Sequence, residues 1–63
     1  MLNDNDYLTS IEESASFICR EGRADLVKGV LQEHHARSID ELRPSDLQEV
    51  FSELYAYEAD LRD

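Results

Sequence analysis

The chain of 63 residues carries six Lys or Arg against fifteen Asp or Glu, a formal net charge of -9, with one cysteine and 41% hydrophobic residues. That length holds one small domain, spanning residues 1–63, and excludes most enzymes; one cysteine excludes an internal disulfide, so folding rests on a core that buries only about 60% of the unfolded surface. The charge argues against sequence-independent nucleic-acid binding, which needs cations on phosphates, and against anionic membrane surfaces.

Met1-Leu2-Asn3-Asp4-Asn5-Asp6 is polar and acidic where a signal peptide is basic and then apolar. No run approaches the roughly 18 apolar residues of a membrane span, and no lipidation motif is present. A cytoplasmic protein with a reduced Cys19 is expected.

A first helix is expected from about Tyr7 to Glu21, started by the N-cap candidates Asp4, Asn5 and Asp6, or by Thr9 with Glu12 in capping-box spacing. At about 100° per residue, Tyr7, Leu8, Ile11, Ala15, Ile18 and Cys19 share an arc of roughly 120° that faces the core. Phe17 lies outside that arc, so it needs a partner or a covering loop. Gly22 suits the left-handed residue that ends a helix.

A second helix, about Arg23 to His35, places Leu26, Val27, Val30, Leu31 and His34 on one face and is weakened by Gly29. Ser38 and Glu41 have capping-box spacing, which predicts a single helical turn pinning Ile39 and Leu42 to the core. Pro44 ends that turn and begins the last helix, with Asp46 complementing its dipole.

The last helix is expected from Pro44 to about Asp60. Leu47, Val50, Leu54, Tyr57 and Leu61 follow the three-four spacing of a coiled-coil seam, and Phe51 and Tyr55 widen the stripe to about 160°. Either the stripe wraps a three-helix core, or one edge packs inside and the other meets a partner, a second copy included. The fold class is therefore all-α: three helices plus one short helical turn, with a helical homodimer as an option.

Chemical motifs are sparse. His34 and His35 point about 100° apart on a regular helix and cannot chelate one ion together; a site with Glu33 and Asp40 would need the loop to fold back. A helix-end role near the dipole's negative pole fits them better. Cys19, near a helix C-terminus, reads as core packing rather than as a nucleophile. No phosphate loop, GxSxG, HExxH or CxxC pattern occurs. No enzyme activity, cofactor or metal is expected.

The acidic residues are informative by position. Residues 45–63 hold Asp46, Glu49, Glu53, Glu58, Asp60 and Asp63 against Arg62 alone, a net -5, whereas the preceding 44 residues hold -4. Glu49, Glu53 and Asp60 lie opposite the apolar stripe. Like charges at i,i+4 destabilise a helix by about 0.2–0.5 kcal/mol, so the strip serves solubility or docks on a basic groove. Glu58 falls inside the apolar arc, either beyond the core or aimed at a partner's cation. The expected partner-binding residues are Asp46, Glu49, Glu53, Tyr57, Glu58, Asp60 and Phe17.

Over residues 24–61, the runs Ala24-Asp25-Leu26-Val27-Lys28-Gly29-Val30-Leu31 and Ser38-Ile39-Asp40-Glu41-Leu42-Arg43-Pro44-Ser45-Asp46-Leu47 resemble a known pattern. It is the helix, s-l-x-E-L-x-P-x-D, helix module of small phage proteins and of the ends of phage recombination proteins, and Ile39, Glu41, Leu42, Pro44 and Asp46 carry the likeness. The resemblance implies a phage or mobile-element origin and a protein-interaction module; small acidic phage proteins include anti-CRISPR inhibitors that occupy nucleic-acid channels. The expected function is a small acidic helical module that binds a protein with a basic surface, anti-CRISPR-like, without direct contact to nucleic acid or membrane. The alternative is a structural or regulatory subunit that homodimerises or docks through the amphipathic last helix.

Overall fold

In the computed structural model, which describes residues 3–63, the first helix α1 (Asp4–Arg20) starts on Asn3, ahead of the three residues expected to cap it. The Asn3 side chain accepts from the Asp6 N–H at 2.9 Å and the Asp6 carboxylate accepts from the Asn3 N–H at 3.3 Å. This reciprocal pair satisfies two of the donors that a helix start leaves free. Thr9, the other candidate start, lies inside the helix. Met1 and Leu2, the head of the stretch read as lacking targeting character, lie outside the described residues.

Gly22 ends α1 as expected, with φ 78. Its N–H donates to the Cys19 carbonyl at 3.0 Å and the Arg23 N–H to the Ile18 carbonyl at 3.1 Å, the two bonds of a Schellman motif. The second helix, α2 (Ala24–Glu33), is shorter than expected at both ends. It stops because the same motif repeats with a histidine in the glycine's place. His35 adopts φ 59, its N–H donates to the Gln32 carbonyl at 3.0 Å, and the Ala36 N–H donates to the Leu31 carbonyl at 2.9 Å. Ala36 and Leu31 are both buried, the apolar contact that accompanies this cap.

The connection holds two 3-10 turns, Ile39–Glu41 and Pro44–Asp46, before α3 (Leu47–Arg62). The single turn at Ile39 forms as expected, with Ile39 half-buried and Leu42 buried. Its cap differs: Ser38 makes no side-chain capping bond, and Glu41 instead accepts from the Arg37 N–H at 2.9 Å. Pro44 opens a 3-10 turn, so α3 begins three residues later than expected.

The core gathers Ile11, Ala15 and Ile18 of α1, Val27, Val30 and Leu31 of α2, Ala36 and Leu42 of the connection, and Leu47, Val50 and Leu54 of α3. Tyr7 stacks edge-on against Phe51 with ring centroids 5.8 Å apart, and Arg62 covers Phe17, so α1 and α3 run parallel, side by side. Among the described residues no strand forms, and no helix is long and apolar enough to cross a membrane.

Four residues depart from the expected face. Cys19 is exposed, not packed in the core, because α1 turns its Ile11–Ile18 line toward α3 and leaves its other edge at a groove beside Val27, Leu31 and Ile39. Ser14 is buried on the side of α1 that faces α3, where an apolar residue would be the default. Tyr57, expected on the coiled-coil seam, is 36% exposed, and Tyr55 is 59% exposed. Tyr57 stands on the flank of α3 away from Phe51 and Tyr55, and α2 packs against α3 much less extensively than α1 does.

Candidate functional site

The side chains of α3 divide into three groups, and the first is built on His34. As the C-cap of α2, with His35 turning the chain sharply behind it, His34 points inward and its side chain is only 10% exposed. Its Nδ1 lies 3.3 Å from an Asp46 oxygen and its Nε2 lies 3.0 Å from a Glu53 oxygen. The hydrogen bond to Glu53 raises the His34 pKa above its usual value; burial opposes that, and Asp46 adds to it. A neutral imidazole has one N–H and one lone pair, so only the imidazolium can donate to both carboxylates. The second oxygen of Asp46 accepts from Arg43 at 3.3 Å. Burial pushes the Asp46 carboxyl up, but hydrogen bonds from His34 and Arg43 together hold it below the ordinary range.

The second group lies on the opposite flank of α3, along a groove of about 490 Å³ against α1 lined by Phe17, Phe51, Tyr55, Glu13, Glu58 and Arg62. Arg62 stands 4.4 Å above the Phe17 ring and donates to Glu58 at 2.8 Å. The buried Ser14 hydroxyl also bonds to Glu58, and it, followed by Arg62, holds the Glu58 carboxyl below the usual value. The cation at which Glu58 aims is therefore in its own chain, and Phe17 is half-buried beneath that cation rather than bare.

What remains is the third group: Glu49, Tyr57 and Asp60, all exposed. Glu49 and Asp60 make no hydrogen bond or ion pair among the described residues. They fall within about 80° on α3, on the flank away from Phe51 and Tyr55.

The seven expected partner-binding residues thus separate by what they touch. Asp46 and Glu53 close on His34, so Glu53 is half-buried instead of standing on an outward acidic strip; Glu58 and Phe17 close on Arg62; Glu49, Tyr57 and Asp60 stay free. Sequence reasoning missed Ser14, which carries no local signal, and Arg43, whose i,i+3 spacing to Asp46 was the available signal, and it named His34 without its partners. The metal-ligating side chains that come together among the described residues are His34, Asp46 and Glu49, in place of Glu33 and Asp40.

No protein-family model matches the chain, and neither the curated proteins nor the solved structures yield a match.

Proposed function

We propose that this chain is a small acidic helical protein-binding module, an inhibitor of phage or mobile-element type, anti-CRISPR-like, that docks on a basic surface built to receive nucleic acid. The observation that carries this reading is the distribution of charge after internal pairing. Arg43 and Arg62 are both engaged, by Asp46 of the turn before α3 and by Glu58 of α3. Among the described residues Glu49 and Asp60 then stand without a neutralising partner on the α3 flank that carries the exposed Tyr57, on a chain of net charge -9.

The pairing also removes three carboxylates from the argument. Asp46, Glu53 and Glu58 stabilise the fold locally, so they need no partner to explain them. Among the described residues Glu49 and Asp60 make no such pairing within the chain. Complementary charge of this kind raises association rates and selects partners more than it adds affinity. An exposed tyrosine amid carboxylates supplies the amphipathic contact area that interface centres favour.

The test is binding to purified CRISPR surveillance complexes and other basic nucleases at two salt concentrations. Raising salt from about 0.1 M to about 1 M shortens the screening length from about 10 Å to about 3 Å, so complexes that form at low salt should dissociate at high salt. No binding at low salt across such complexes would sink the proposal.

A second reading rests on Tyr55 and Tyr57, large apolar surfaces exposed on one helix: a structural or regulatory subunit that homodimerises or docks through α3. Sedimentation decides its dimer form, since a strict monomer at tens of micromolar contradicts it.

A further inference from the structure

His34, Asp46, Glu49 and Glu53 converge where the end of α2 meets the start of α3. We propose that this junction binds a divalent transition-metal ion of the zinc type, held by His34 Nδ1, one oxygen of Asp46 and the Glu49 carboxylate, with water as the fourth ligand. The inference does not depend on the proposed docking function.

The donor set suits such an ion: zinc takes imidazole nitrogen and carboxylate oxygen, and its non-structural sites keep three protein ligands with water in the fourth position. The geometry suits it as well. Metal–ligand bonds of about 2.0–2.1 Å at a tetrahedral angle separate two ligand atoms by about 3.3–3.4 Å. His34 Nδ1 and Asp46 Oδ1 are 3.3 Å apart, which matches that edge. Ligating atoms of His34, Asp46 and Glu49 lie within 4.8 Å of one another, and Glu49 is exposed and free to swing the remaining distance.

The surroundings also match, because metal ligands are characteristically oriented by a second set of hydrogen bonds. Glu53 faces Nε2 at 3.0 Å, which keeps the proton on Nε2 and turns the Nδ1 lone pair toward Asp46. Arg43 holds the other oxygen of Asp46 at 3.3 Å and leaves Oδ1 available. When the ion enters, the Nδ1 proton leaves to solvent and the other proton stays on Nε2, donated to Glu53. Magnesium and calcium prefer all-oxygen shells of six or more ligands, which this donor set does not offer.

The experiment is calorimetric titration of the EDTA-stripped protein with Zn²⁺, Co²⁺ and Mg²⁺ in turn. One Zn²⁺ per chain with a raised melting temperature, visible d–d absorption of four-coordinate Co²⁺, and no Mg²⁺ binding are expected. Glu49→Gln, at an exposed side chain that folding does not need, should weaken Zn²⁺ by at least about tenfold with the metal-free melting temperature unchanged. Glu53→Gln, which changes no ligand, should weaken it about 10–100-fold. Absence of Zn²⁺ binding at millimolar ion, equal affinity for Mg²⁺, or unchanged Zn²⁺ affinity in Glu49→Gln would each overturn the site.

Discussion

Replacing His34 with Gln in metal-free protein should remove both stability and its pH dependence, and the two effects can be separated. In the wild type below about pH 6.5 the imidazolium donates to Asp46 and Glu53 together. Hydrogen bonds to charged groups contribute about 1.5–3 kcal/mol each. The Glu53 side chain is 33% exposed and Asp46 keeps Arg43, so the low end applies, and Gln can still donate to one carboxylate. A loss of about 2 kcal/mol follows. A 63-residue domain has about 3–9 kcal/mol in total, so this is a large share, equivalent to about 8–16 °C of melting temperature. The pKa of His34 is raised on folding, so its contribution is fully present below the unfolded value of about 6.5 and is lost as pH rises through the folded value. The difference between wild type and His34→Gln, read from circular-dichroism melts with EDTA, should therefore be largest near about pH 5.5 and shrink toward about pH 9. Parallel stability curves for the two proteins would refute the account of this cluster.

The backbone and core give further tests by the same melts. Gly29→Ala should stabilise by about 0.5–1 kcal/mol, since the position is helical and an added Cβ meets nothing within 4 Å. Gly22→Ala should destabilise by about 1–2 kcal/mol at φ 78, whereas His35→Gly should stabilise by up to about 1 kcal/mol at φ 59, where glycine is the easier residue. Leu54→Ala should cost about 2–5 kcal/mol because the side chain is fully buried, and a loss under about 1 kcal/mol would contradict the core assignment. Tyr57→Ser should leave stability within about 0.5 kcal/mol and, on the dimer reading, abolish the dimer; it serves there better than any change at the buried Leu54.

How far the sequence carried depended on whether a residue's role is local. Gly22 and the Ile11, Ala15 and Ile18 line act through neighbours three or four positions away, and the structure places them as the spacing predicts, whereas Pro44 ends the preceding turn but opens a 3-10 turn instead of α3. Capping was half legible. The chemistry at Asn3 and Asp6 is the expected kind, displaced upstream because Asn3 offers the same side-chain acceptor to a longer helix. The end of α2 was read too late because only His35's left-handed backbone, not its residue type, stops the helix. Roles set across the chain were not legible. His34 meets Glu53 nineteen residues away, and Ser14 meets Glu58 from another helix. Tyr57 has the spacing of a seam residue, but its exposure depends on how closely α2 lies against α3, which spacing along α3 does not encode. Only once such pairs are known does the acidic helix divide into carboxylates that hold the fold and those that do not.

The docking proposal meets its most direct test in a competition measurement. A basic CRISPR or nuclease complex that binds this protein at low salt is titrated with its own nucleic acid while the bound protein is followed. The account predicts mutual exclusion, together with a slower association rate for Asp60→Lys, whose fold should be intact because Asp60 is exposed and bonded to nothing among the described residues. Simultaneous occupancy by protein and nucleic acid, with Asp60→Lys associating as fast as the wild type, would contradict it.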